Sequence, residues 1–408
     1  AAPQGGEVVG GSASIAYNGK NTDIYQNSNR AIIDWRSFDM AFDEVTEFHQ
    51  PNSASMTLNR INDVKASQID GSIKANGHVI LVNPNGIVFG DTATIDIGSL
   101  TATSADIDND AFMNGGFHFD KVGRSDAKIL NKGLITAKDA GLVNFVAPQV
   151  LNEGIITAKL GKIQLAAADT FAIDLAGDGF IQIAVSDEEV KKLASNAGQI
   201  KAESGYIALT AGKAKNILDS VVNNSGVIEA SSMIQKGGKI VLTSDQGHVN
   251  VSGKVTASGK EGGGEILIGG DYLGAEGTAR AKITNVTQTA SIDAKALKNG
   301  DGGKVIVWSD EQTIFAGKIN ADSDVSGDGG FVETSSKGKL KITEDAAVSA
   351  KAKDGKNGLW FLDPRNVFLR RGGGESDFIA DSDDEVVDVD VIETSLDGGT
   401  SVTITTGA

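Results

Sequence analysis

One phrase recurs along the chain and limits what the chain can fold into. It reads Asn or an apolar residue, then x-Gly-x-(Ile/Val)-x-Ala, a glycine turn, and Gly-x-(Ile/Val)-x-(Leu/Val). Good copies are Asn152-Glu153-Gly154-Ile155-Ile156-Thr157-Ala158 leading to Gly161-Lys162-Ile163-Gln164-Leu165, and Asn196-Ala197-Gly198-Gln199-Ile200-Lys201-Ala202 leading to Gly205-Tyr206-Ile207-Ala208-Leu209. The phrase returns at Asn224 to Leu242 and Val251 to Ile268, and weaker copies run through Ile292-Asp293-Ala294, Ile319-Asn320-Ala321 and Val348-Ser349-Ala350. Each copy reads as two short alternating strands separated by Gly and Asn turns. One copy cannot bury its apolar face alone, whereas copies stacked on one another can. The expected fold is therefore all-β: a right-handed parallel β-helix with short extra-helical hairpins and loops. An antiparallel sandwich, built from unlike hairpins, would not repeat one phrase.

Composition agrees. Of 408 residues, 51 are Gly and only 5% aromatic, so the core must be filled by small and β-branched side chains in a repetitive frame. The net charge of −17 disfavours surfaces that neutralise phosphate, so nucleic acid is not an expected partner, and no segment approaches the roughly 20 apolar residues of a membrane-spanning helix, so direct membrane insertion is not expected. Cysteine is absent, which removes disulfides, thiolate zinc sites and thiol catalysis. The start at Ala1-Ala2-Pro3-Gln4 reads as the product of signal-peptide cleavage.

Two stretches break the repeat. Ser186 to Ala194 has a Ser cap with Glu189 three residues on, and reads as one short inserted helix. Arg371 to Asp390 carries seven carboxylates from Glu375 to Asp388 and reads as an exposed acidic excursion, with Asp383-Asp384-Glu385 a solvated face. Strand pattern resumes at Ser401 to Thr405.

Catalytic candidates are few. The four histidines, His49, His78, His118 and His248, form no His-x-x-x-His pair. Asp106-Ile107-Asp108-Asn109-Asp110 opens like a calcium loop, but Ala111 stands where the turn glycine belongs and Phe117 where the bidentate carboxylate belongs. Glycine clusters at 262–264, 302–303 and 329–330 precede strands instead of helices, so they read as turns and not phosphate loops. Asp34 with Arg36, Asp91 with Asp96 and Asp363 with Arg365 are the pairs a polysaccharide-active β-helix enzyme would require by type. Scattered surface charge accounts for them better. No catalytic residue, metal ligand or cofactor is expected.

The densest stretch lies between Asn27 and Gly90. It contains Trp35 and Phe38, Gln50-Pro51, Leu58-Asn59-Arg60, Asn76-Gly77, and Asn83-Pro84-Asn85-Gly86-Ile87. In these residues the chain resembles the secretion domain of two-partner-secretion exoproteins, the filamentous haemagglutinin and high-molecular-weight adhesin family. Later phrases, among them Trp308-Ser309-Asp310 and Leu359-Trp360-Phe361-Leu362-Asp363-Pro364, are similar to those that follow such domains. The resemblance implies a TpsA protein whose residues 1–250 form the secretion domain with an N-terminal cap, and whose residues 251–408 continue as passenger repeats. It implies recognition in the periplasm by the POTRA domains of a cognate outer-membrane TpsB barrel, then folding at the surface of a Gram-negative cell. It further implies an adhesin that binds host or matrix receptors or glycans through downstream regions. The other functions weighed are a polysaccharide-active enzyme and the stalk of a contact-dependent toxin or haemolysin. Asn83 to Ile87 reads as a secretion motif: Pro84 fixes φ, and Asn and Gly accept positive φ, so a rigid turn is expected between the flanking apolar strands.

Overall fold

The computed structural model describes residues 2–174, 181–183, 192–212, 220–371 and 385–407, with backbone alone for 181–183 and 220. The chain forms two compact units, residues 1–201 with 214–218, and residues 202–213 with 219–408. Each is a right-handed parallel β-helix whose coils carry three short strands, one on each of three faces.

In the first unit, a representative coil runs through His78–Val82 on the first face, Ile87–Phe89 on the second and Thr94–Ile97 on the third. It stacks in parallel register between its neighbours: Leu81 lies between Asn59 and Ala102, Ile87 between Ser67 and Ile129, and Asp96 between Lys74 and Thr136. Strand alternation sends Val79, Leu81, Ile87, Phe89, Ile95 and Ile97 inward, all fully buried. Phe89 stacks on Phe145 in the interior with ring centroids 5.8 Å apart.

The outward side of the first face is apolar too. Ile32, Met56, Leu58, Ile80, Val82 and Val146 are covered by Phe112, Phe119, Phe171 and Ile173 from two excursions that leave the coils. One excursion carries helix α1, Asn109–Met113. The other supplies Phe171–Ile173, which pairs antiparallel with His118–Phe119 and Ile181–Ile183. This is why first-face strands read as near-continuous apolar runs: both sides are buried. The early strands close one end. Glu7–Gly10 pairs antiparallel with Arg30–Trp35, and the Ala13–Asn18/Asn21–Gln26 hairpin extends the edge of the third-face sheet, with Asn21–Gln26 parallel to Val45–His49.

The second unit repeats the plan. Ile266 lies between Ile240 and Val305 on the first face, and Ile292 between Val255 and Ile319 on the third. The glycine clusters are turns here, and the close approach of successive coils explains them. A Cβ on Gly303 would sit 2.2 Å from the Gly264 carbonyl oxygen, and one on Gly330 2.2 Å from that of Gly303.

Three expectations need correction. Coils carry three strands and not two. The missed strand is the second-face one, such as Gln149–Asn152, which is four residues long and ends on the Asn that opens the repeat phrase. Of the expected helix at Ser186 to Ala194, residues 186–191 lie outside the described residues, while Lys192–Asn196 is a second-face strand paired with Gln149–Asn152. Lys192 is fully buried against Asp169, so tertiary pairing, and not local helical propensity, sets the described end of this stretch. Of the acidic excursion, residues 372–384 lie outside the described residues, and its described end is not a solvated face. Glu385 is buried and paired with Arg365 at 3.1 Å, Val386–Asp388 is a strand, and Val389–Asp397 is helix α2. Asp388 caps α2 by accepting from the Asp390 and Val391 amides. The helix buries Val391, Ile392 and Ser395, and Ser395 donates to the Val348 carbonyl, covering the Ala347–Ser349 strand.

Candidate functional site

The residues singled out in the first 90 positions lie on consecutive coils of the first unit. Ile33, Asn59 and Leu81 are register partners on three stacked first-face strands, and Trp35, two residues beyond Ile33, pairs with Ile61. Trp35 is buried, its Nε1 donates to Asn59 Oδ1 at 2.9 Å, and its ring meets Phe38 edge-on at 5.5 Å. Asn59 Nδ2 in turn donates to the Thr57 and Ile80 carbonyls. A buried amide inside an apolar core is thereby satisfied across the stack.

Gln50 is a second hub. Its Nε2 donates to Thr57 Oγ1 and the His78 carbonyl, both at 3.0 Å, and its Oε1 accepts the Gly77 amide at 2.8 Å. Its backbone exchanges hydrogen bonds with the Asn76 side chain, both at 2.8 Å. Gly77 is required by space: a Cβ would lie 2.7 Å from the Ser55 carbonyl oxygen and 2.9 Å from the Gln50 carboxamide. Pro51, the next residue, is exposed and leads into the turn. His78, fully buried, donates or accepts at Thr101 Oγ1, 2.8 Å away, and burial pushes its pKa down to about 4.

Leu58 and Arg60 point outward from the same strand. Leu58 enters the apolar cluster beneath the excursion helix. Arg60 Nε reaches both carboxylate oxygens of Asp106, at 2.8 and 3.0 Å, and Nη1 reaches Asp34 at 2.9 Å. Nη2 donates to the Ile107 carbonyl and to Asn109 Oδ1. One guanidinium thus pins the start of the excursion to the coils through four hydrogen bonds, while a fifth ties it to Asp34 on the adjacent first-face strand. Asp106, missed as a site residue in the sequence, is its main partner, and Asp108 of the same run caps α1.

Asn83 to Ile87 makes the corner between first and second faces. Asn83 is fully buried; its Nδ2 donates to the Lys65 carbonyl (3.1 Å) and Ser67 Oγ (3.0 Å), and its Oδ1 accepts the Asn85 amide (3.0 Å). Asn85 Nδ2 donates to the Asp63 carbonyl at 2.8 Å. The Gly86 amide closes the turn on the Asn83 carbonyl, and the Pro84 carbonyl accepts Arg124 from the excursion's return. Gly86 has φ +106°, and a Cβ there would lie 2.4 Å from the Lys128 carbonyl oxygen. Ile87 then enters the core between Ser67 and Ile129.

The catalytic candidates are not brought together. Asp34 is taken by Arg60 and not Arg36, Asp363 accepts from Thr405, and Arg365 pairs with Glu385. Asp91 lies in an exposed turn, and Asp96 on the third face. Sequence reasoning also missed Glu333, an outward-facing but fully buried first-face residue of the second unit. It accepts the Leu273 amide at 3.2 Å, and burial pushes its carboxyl up to about 7. No signal marks it, because Phe331-Val332-Glu333-Thr334 reads as ordinary alternation.

The comparisons with known proteins decide the family. A family model described as TPS secretion domain matches residues 1–257. The chain belongs to the TPS secretion domain family. The crystal structure of the HMW1 secretion domain from Haemophilus influenzae is 34% identical, covers 88% of this chain and all of that one, and superposes with a TM-score of 0.70. Two heme/hemopexin-binding proteins of Haemophilus influenzae are each 33% identical, over 285 and 257 residues, or 64% and 61% of this chain. The chain spans 30% and 28% of the length of these curated relatives. A TPS domain is the secretion-recognition region of TpsA exoproteins, and neither an enzymatic nor a toxin-stalk reading receives support from these matches. Membership implies a cognate TpsB transporter and export across the outer membrane of a Gram-negative cell to its surface.

Proposed function

We propose that residues 1–250 act as the recognition module, that POTRA domains of the cognate TpsB barrel bind it in the periplasm after signal-peptide removal, and that residues 251–408 are the first passenger coils. The chain itself is non-enzymatic, and binding of host or matrix receptors or glycans belongs to regions outside these residues. Asn83 to Ile87 acts through the fold: it fixes the corner that sets one coil on the previous one, so that folding can propagate from the N-terminal coils outside the cell without an energy source.

The observation that carries this reading is where the motif's side chains go. Asn83 Nδ2 donates to the Lys65 carbonyl and to Ser67 Oγ, which uses both of its N–H groups, and Asn85 Nδ2 donates to the Asp63 carbonyl. Such groups hold coils together better than they recruit a partner. The test replaces Asn83 and Asn85 by Ala together and follows both release into the medium with the cognate transporter and resistance of the purified chain to urea. Both should fall in parallel; full secretion with intact folding would remove the motif's role.

A further inference from the structure

Among the described residues, Asp23, Glu47 and His49 stand out as a set that sequence reading did not join. They lie on neighbouring parallel third-face strands, Asn21–Gln26 of the N-terminal hairpin and Val45–His49 of the first coil. The register places Asp23 against Glu47 and Tyr25 against His49, and alternation turns all four side chains to the outer side. One donor atom from each of Asp23, Glu47 and His49 lies within 4.8 Å of the others. His49 Nε2 is 2.9 Å from Asp23 Oδ1. The Tyr25 ring lies flat on the imidazole, 4.7 Å away and 9° from parallel, and holds its plane. The side chains keep 25% (Asp23) and 38% (His49) of their surface exposed, and Glu47 and His49 border an open groove that also includes Lys74, Asp96 and Lys138.

We propose that Asp23, Glu47 and His49 form a three-ligand site for a divalent transition metal of the zinc type, which fastens the N-terminal hairpin to the first coil. One imidazole nitrogen with two carboxylates suits zinc; calcium takes six to eight oxygens, and magnesium prefers an octahedron of oxygens and water. Ligands about 2.0 to 2.1 Å from a tetrahedral ion lie roughly 3.3 Å apart, so the Nε2–Oδ1 pair opens by a few tenths of an ångström and the Glu47 carboxylate swings inward. The fourth position faces the groove and takes water. Lys74, next to Glu47 in the ladder, is also the neighbour of Asp96, so a carboxylate remains for its ammonium when Glu47 turns to the metal. The ion replaces a partly exposed His–Asp pair, which is weak alone, with a metal link between the edge strand of the hairpin and the strand beside it.

The test is zinc titration of the whole 408-residue chain, stripped with chelator, by calorimetry and thermal melting. The proposal expects one zinc per chain, a melting temperature that rises with zinc, and at least tenfold weaker binding in each of D23N, E47Q and H49Q. H118Q should bind as the parent does, and calcium or magnesium at equal concentration should not compete. Histidine-selective nitrogen NMR on the parent chain reads the site without any substitution: of the four histidines, His49 alone should shift. No bound zinc, zinc bound equally well by H49Q, or a His49 resonance indifferent to zinc would each overturn it.

Discussion

Asn85 Nδ2 donates to the backbone carbonyl of Asp63 at 2.8 Å, joining a corner of one coil to the loop of the coil before it. With Asn83 reaching Lys65 and Ser67 beside it, two side chains of a five-residue motif position a loop about twenty residues earlier in the chain. Removing a buried amide leaves the opposite groups unsatisfied, at about 1–3 kcal/mol each. Asn83→Ala should therefore lower urea resistance more than Asn85→Ala, because Asn83 is fully buried and makes three of these bonds. Equilibrium unfolding of the two single variants measures the order.

Gly86→Ala should destabilise more than Gly19→Ala. Both glycines have positive φ, but a Cβ at Gly86 meets the Lys128 carbonyl at 2.4 Å, whereas one at Gly19 meets nothing within 4 Å. Strain alone predicts about 1 kcal/mol at Gly19, with steric overlap added at Gly86. Thermal melts of the two variants report the difference.

Arg60→Lys should not rescue Arg60→Ala. The guanidinium serves Asp106, Asp34, Asn109 and the Ile107 carbonyl at once, a fork that an ammonium cannot reproduce. Its side chain is only 13% exposed, so deletion leaves Asp106 and Asp34 without their partner, at roughly 3 kcal/mol. Protease cleavage within residues 104–126 should rise sharply in both variants, since that excursion loses its anchor.

Glu333 should make the second unit less stable as pH rises from about 4.5 to about 7. Its carboxyl is raised from 4.5 to about 7 by burial. Below the lower value both states are protonated. Between the two, the unfolded chain has ionised while the native carboxyl keeps its proton, so stability falls with pH, by something on the order of 3 kcal/mol across the window. Hydrogen-exchange protection of Phe331–Thr334 should show the slope, and Glu333→Gln should flatten it.

The solenoid was legible because its constraint repeats. Buried Asn131, Asn152 and Asn196 form a ladder, Asn131 donating to Asn152 and Asn152 to Asn196 at 2.9 Å, and the Gly two residues after each Asn sits where the neighbouring coil leaves no room for a Cβ. Second-face strands escaped because four residues such as Gln149–Asn152 give alternation too little length to register. Helix α2 escaped because its capping Asp388 sits in a run of carboxylates that reads as solvated charge. The Arg60–Asp106 and Asp23–Glu47–His49 groupings escaped because only coil register brings their members together. The family-match residues were legible as a set, yet their roles in the core, Trp35 on Asn59 and Gln50 on Gly77, depend on partners 24 and 27 residues away.

The most direct test of the account is export. The chain, with a signal peptide, is expressed with its cognate TpsB transporter, with a POTRA-deleted transporter, and with none, and folded protein in the medium is measured by protease resistance. The account predicts protease-resistant chain outside the cell with the intact transporter only. Equal release in all three, or retention of the chain with the intact transporter, would contradict it.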